Sequence, residues 1–236
     1  MGQLTKAIGL ADLCELLKHA FTFPDEQLVQ ALSEGSFRED MVSCLNDAGA
    51  SKEKIDGVDV SLAALTLVSK DELLATLRKE FSLLYLVPGE EVPVFPYEGP
   101  FRLKNEGRRG KPALFGSAVS LDVEKSMRRA GVIPKSGHKE PIDSVWNEFA
   151  FLSFLYGNLA QAIQEQDEEA EERFNRYIAD FVGDHGIKWL PAFMEKTQQA
   201  VSDSEKSTVY RVFAQCGLLS LEFMETDVAS IPSPLT

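Results

Sequence analysis

Histidine and cysteine are scarce in this 236-residue chain, at three each, and none of them falls in a ligand spacing. Cys14, Cys44 and Cys216 are odd in number and far apart. That excludes a disulfide framework and predicts small buried hydrophobes in a reducing compartment. His19, His138 and His185 share no helical face, and the Glu-x-x-His motif of di-iron bundles is missing, so no metal site is expected. Positive charge is also short, with 24 Lys and Arg against 37 Asp and Glu and a net charge of −13. Such a field repels nucleic acid and anionic membranes and favours a basic peptide. No apolar run reaches the length of a bilayer span, and Met1 to Lys6 has neither a cationic n-region nor a secretory apolar stretch. A cytoplasmic protein without direct membrane insertion is expected.

Catalytic motifs are missing as well. The nearest approach to a phosphate loop is Gly107-Arg108-Arg109-Gly110-Lys111-Pro112, but the spacing is wrong, no Ser or Thr follows the lysine, and Pro112 blocks the helix that should receive phosphate. It reads as a solvated basic loop tip. Arg108-Arg109 and Arg128-Arg129 are internal and not followed by an export h-region, so neither is an export signal of this chain. No cofactor, no catalytic residue and no enzymatic activity are expected.

What is abundant is helical periodicity. Leu4, Ile8, Leu13, Leu16, Leu17 and Ala20 line one stripe of a first helix from Leu4 to Phe21. Pro24-Asp25 restarts the chain, and Gly35-Ser36 and Gly49 divide the next stretch into two short helices. Ser69 and Glu72 form a capping box ahead of Leu73, Leu77, Phe81 and Leu84. From Ser117 the pattern resumes through Val119, Val123 and Met127, with Arg128 and Arg129 in the last turn and Gly131 as the stop. Ile142 to Ile163 carries an apolar arc too wide for a surface helix, which makes it the central rod, with Glu140 and Asp143 in its first turn. The acidic run Gln164 to Glu172 starts another helix. After Gly183 and Gly186, Ile187 to Val201 forms a further helix with Pro191 in its first turn. A final helix spans about 204–224, and Ile231-Pro232-Ser233-Pro234 is a frayed tail. No run alternates, so the fold expected is all-α, a single domain over 1–236 with roughly ten helices.

One region breaks the pattern. Five prolines and five glycines between Val87 and Gly116 predict an extended loop of about 87–117, a length usually reserved for function or disorder. Its aromatics, with Tyr85 before it, read two ways. They offer rigid apolar surface for a peptide, or they anchor a braced loop onto a helical core. Glu140 and Asp143 likewise either cap a helix or stay available to a cationic ligand. His185, Trp189 and Phe193 follow helical spacing of four, the spacing of core packing.

Three separated segments together resemble the TorD/DmsD family of redox-enzyme maturation chaperones, over roughly Asp71 to Lys196. The first runs from Leu84-Tyr85 and Pro88 to Pro96-Tyr97-Glu98 and is similar to the family's Pro-Pro-Tyr-Glu-Ser block, with Gly99 where serine is usual and Val87 where glycine is usual. The second, Glu140-Pro141-Ile142-Asp143, resembles Glu-Pro-x-Asp-His, with Ser144 replacing the histidine. The third is the ladder His185, Trp189, Phe193, and the Ser117 to Gly131 helix also fits. The resemblance implies a binding protein for the twin-arginine signal peptide or the apo-catalytic subunit of a molybdopterin oxidoreductase, assisting cofactor insertion and delaying export. It implies a peptide-binding surface drawn from Tyr85, Pro88, Pro93, Phe95, Pro96, Tyr97, Glu98, Glu140, Asp143, Ser144, Trp146 and His185. A generic helical adaptor for a folded partner, or a weak guanine-nucleotide-linked activity, is the alternative, and both monomer and helix-swapped dimer are open.

Overall fold

Helix starts and stops follow the side chains expected to set them. The computed structural model describes residues 2–87, 92–107, 110, 113–133, 140–202 and 209–231. Its helices are α1 Gln3–Phe21, α2 Glu26–Glu34, α3 Ser36–Ala48, α4 Lys52–Ala63, α5 Lys70–Tyr85, α6 Glu98–Asn105, α7 Ala118–Arg129, α8 Val145–Glu165, α9 Glu168–Phe181, α10 Ile187–Ser202 and α11 Val209–Ser230. Asp25 accepts the Leu28 N–H at 2.9 Å to cap α2, Ser69 accepts from Glu72 at 3.4 Å to cap α5, and Ser117 accepts from Ser120 at 2.9 Å to cap α7. Among the described residues there is no strand, only an isolated antiparallel bridge between Tyr97 and Ser144. The all-helical architecture is the expected one. Pro88, Gly89, Arg108, Arg109, Lys111, Pro112, His138 and the Pro232–Pro234 tail lie outside the described residues.

The core is built on α1 and α8, which pack along their lengths, with α3 and α11 also against α1. Leu10, Leu13, Cys14, Leu17 and Phe21 of α1 and Phe149, Leu152, Leu155 and Tyr156 of α8 are fully buried. Each large apolar side chain buried in this way contributes about 1.5–3 kcal/mol. Of the stripe expected on α1, Leu13, Leu17 and Ala20 are buried and Leu4 and Leu16 pack against the core; Ile8 is exposed, and Ala7, Leu10 and Cys14 also join the inner face. Gly9 explains how α3 comes so near: a Cβ there would sit 2.8 Å from Asp47 Cβ and 3.0 Å from the Cys44 carbonyl. All three cysteines are free and buried, and burial pushes the Cys44 and Cys216 thiols up to about 12. No helix among the described residues is long and apolar enough to cross a membrane.

Four departures from the sequence reading matter. A helix, α6, occupies the middle of the expected loop; Pro100 is its third residue, in the first turn, where a missing N–H breaks no bond. The central rod α8 begins at Val145 rather than Ile142, because the Ser144 hydroxyl takes the cap and accepts from Asn147 N–H at 3.3 Å. Helices α9 and α10 are not separated at Gly183 and Gly186: a π turn, Val182–Gly186, carries one into the other, so Pro191 lies inside a continuous rod. Proline cannot donate to the carbonyl four residues back, and the widened turn lies just upstream of it. The last helix is observed over Val209–Ser230, six residues beyond its expected end at Met224.

Candidate functional site

The three segments that carry the family resemblance meet at one junction of α6, α8 and α10. The chain entering α6 pairs with the chain entering α8: Glu98 N–H donates to the Asp143 carbonyl at 2.8 Å, and Val145 N–H donates to the Pro96 carbonyl at 3.0 Å. Tyr97 stands at the α6 N-cap without a side-chain cap bond. The cap comes instead from 44 positions away, where Asp143 Oδ2 accepts the Gly99 N–H at 2.9 Å. Asp143 therefore does not sit in the first turn of α8, as the sequence suggested. It is fully buried, and burial pushes its carboxyl above the usual carboxylate value despite the Gly99 bond. Glycine at 99, where the resemblance leads one to expect serine, has a steric reason. A Cβ would lie 2.8 Å from Ser117 Oγ and 3.0 Å from Asp143 Oδ2.

Beneath this junction lies a buried ionic cluster. Glu98, Asp143 and Glu148 are all 0% exposed and His185 is 2% exposed. Glu98 receives His185 Nδ1 at 2.7 Å on one oxygen and Arg102 Nη1 at 2.8 Å on the other, and Arg102 Nε also donates to Glu106 at 2.8 Å. Glu148 Oε2 accepts Trp189 Nε1 at 2.8 Å. Its other oxygen has no hydrogen-bond partner among the described residues. Burial first, and the nearby Glu98 charge second, raise the Glu148 carboxyl well above its ordinary value and so favour its neutral form. Leaving a charge unpaired here would cost several kcal/mol, roughly 3–5. An aromatic ladder braces the same junction: Phe101 to Trp189 at 5.6 Å, Trp189 to Phe193 at 5.4 Å, and Phe193 stacked on Tyr85 at 5.6 Å.

The expected peptide-binding residues thus divide by depth. Tyr85, Phe95, Pro96, Glu98, Asp143, Ser144 and His185 are buried; Tyr85 hydroxyl meets Thr197 Oγ1 at 3.1 Å, and Phe95 anchors its loop on the core. Tyr97 and Trp146 are half-buried, and Pro93 and Glu140 are exposed. Tyr97 and Trp146 form an edge-to-face pair at 5.8 Å, and Trp146 Nε1 donates to Glu140 at 3.1 Å. Pro88 lies outside the described residues. On the far side of Glu98, an open groove of about 590 Å³ runs between α6, α7 and the π turn, lined by Arg102, Ala118, Leu121, Asp122, Asp184 and His185 among others. Sequence reading missed Glu148, Arg102 and Asp122. Glu148 carried a signal, as the one acid on the inner face traced by Val145, Phe149, Leu152 and Leu155. Asp122 carried none.

Residues 52–195 match the family model described as nitrate reductase delta subunit, which spans all three segments. The chain is also similar to the chaperone protein TorD of Photobacterium profundum, 26% identical over 158 residues, covering 66% of this chain and 68% of the relative. With more than half the chain matched and the three motif segments joined in one site, the protein belongs to the TorD/DmsD family of redox-enzyme maturation chaperones.

Proposed function

We propose that this protein is a cytoplasmic chaperone that binds the twin-arginine leader, the apo-form, or both, of a molybdopterin oxidoreductase, assisting cofactor insertion and holding the client back from export. Family membership supports the chaperone role. The observation that carries the finer reading is the depth division at the junction. A buried base of Glu98, Asp143, Glu148 and His185 lies under a surface rim of Tyr97, Trp146 and Glu140, and His185 also lines a groove with apolar walls at Ala118 and Leu121. A leader has a dicationic n-region and an apolar h-region. An amphipathic segment of that kind gains from an apolar groove with carboxylates at its edge, and a rim that is already ordered lowers the entropic cost of binding. The chain's net charge of −13 speeds encounter with a basic peptide, chiefly at low salt. No part of this reading needs a catalytic group.

Titration calorimetry tests it. The probes are the twin-arginine leader of a candidate molybdopterin oxidoreductase client and the same peptide with both arginines changed to glutamine. Saturable heat with the first, and much weaker binding of the second, is the expected result. Absence of heat with either peptide and with the apo-subunit would refute the reading.

A further inference from the structure

Helix α7 is held to the body of the protein by little. Of residues 113–133 only Ser120, Val123 and Met127 are buried, Ala130 and Val132 pack partly against the core, and α6 is the main packing neighbour among the described residues. Elements with few buried apolar contacts are the ones that open at the lowest cost. Each end of α7 runs into a glycine with positive φ, Gly116 at 68° and Gly131 at 84°. No Cβ limits the backbone at either position, and no neighbouring atom stands within 4 Å of where one would be. At the C-terminal end Arg129 ties α7 to α9: its Nη2 donates to Asp180 Oδ2 at 2.6 Å, and its guanidinium lies 4.9 Å from the centre of the Tyr177 ring. Arg129 and Asp180 are 46% and 43% exposed, so water and salt weaken the pair.

The same helix is one wall of the groove. Ala118, Leu121 and Asp122 of α7 line it together with Arg102 of α6, His185 of the π turn and Lys188 of α10, around a volume of about 590 Å³. A ten-residue apolar leader segment in helical form is about 10–12 Å across and about 15 Å long and fills roughly 1,200–1,700 Å³. The groove as it stands admits only part of such a segment, so one wall must yield to take the rest. The wall formed by the π turn is fixed, because that turn lies within the continuous rod of α9 and α10, where Phe181, Val182 and Trp189 are buried. The wall formed by α7 is the one with the weaker attachment. Its outward movement would also uncover the apolar side chains of Val123 and Met127 on the face toward the incoming segment.

We propose that α7 is a hinged gate of the groove, swinging on Gly116 and Gly131, and that the contact of Arg129 with Asp180 and Tyr177 is the latch that keeps it seated on α9. This rests on the leader-binding reading above and adds its control: the rate of leader entry follows the fraction of molecules in which α7 is lifted. Arg129, Asp180 and Tyr177 are not among the residues that line the groove, so the latch acts on entry and not on contact with the bound peptide.

The test compares the full parent chain with Arg129→Gln, Asp180→Asn and the double variant. Hydrogen–deuterium exchange without ligand should be about three- to tenfold faster over α7 in each variant and unchanged in α1 and α8. Stopped-flow association of a fluorescently labelled twin-arginine leader should quicken by a similar factor. Because both single substitutions break one contact, the double variant should match Arg129→Gln, and additive acceleration overturns the pairing as a latch. Exchange over α7 that is equal in all four proteins also overturns the latch. Faster exchange with leader association unchanged or slower overturns the gate while leader binding stands, since the contact is then structural only. If the leader binds none of the four proteins, the leader reading fails and exchange decides alone: α7 amides that speed up together as one unit support the hinged body, and a change confined to the turn around Arg129 overturns it.

Discussion

Replacing Glu148 tests the claim that it is a neutral acid in the base of the site. Its Oε2 accepts the Trp189 indole N–H at 2.8 Å, and burial, with the Glu98 charge nearby, raises its carboxyl. Glutamine keeps the acceptor for Trp189 and removes the titration. Alanine orphans the buried indole N–H, at about 1–3 kcal/mol, and leaves a small cavity worth roughly 2 kcal/mol more. For a chain of this size each kcal/mol lowers Tm by about 2–4 °C, so Glu148→Ala should melt roughly 6–20 °C below the parent. Glu148→Gln should stay near the parent at pH 5. The pH dependence has a definite sign. The folded carboxyl lies above its ordinary value, about 4.3 when unfolded, so the folded state binds more protons and the parent loses stability as pH rises from that value through the raised one. The glutamine variant lacks that slope and should become the more stable protein by pH 8. Thermal melts by circular dichroism from pH 5 to pH 8 measure this. Equal damage from glutamine and alanine, or a gap between parent and glutamine that does not change with pH, would refute the neutral-acid assignment.

Two further outcomes follow from the same geometry. Gly99→Ala should cost about 0.5–2 kcal/mol, because its Cβ would press Ser117 Oγ off the α7 cap, and the cost should shrink by at least half in a Ser117→Ala background. Urea unfolding of the four proteins in the cycle measures this, and additive losses would contradict it. Glu80 is pushed up to about 7, by burial, while its Oε2 accepts the Tyr210 N–H at 3.3 Å at the start of α11. Its folded value lies above its unfolded one, so stability falls as pH rises toward 7; Glu80→Gln, which keeps the acceptor, should melt with a shallower fall between pH 5.5 and 8.

Most helix boundaries were legible because their determinants are local. Asp25, Ser69 and Ser117 each bond an N–H three residues on, and Gly131 takes φ 84° just past α7. Helix α6 was hidden because its composition, with Gly99 and Pro100 in the first turn, reads as loop and its cap comes from Asp143 in a distant segment. The role of Asp143 was misjudged for the same reason: position near a helix start suggests capping that helix, but Ser144 does so and the carboxylate turns to α6. The π turn left no mark beyond Gly183 and Gly186, which read equally as a helix break. Pairings such as Glu98 with His185, or Glu148 with Trp189, depend on tertiary contact between rods, and periodicity along one rod reveals only that a polar residue faces inward.

Hydrogen–deuterium exchange with and without the twin-arginine leader puts the central claim at risk most directly. Leader binding at the junction should slow exchange in α6, in the first two turns of α7 and in the π turn at Val182–Gly186, while α2 to α4, at the other end of the contact network, stay unchanged. Protection confined to α2 to α4, or none at saturating leader, would contradict it.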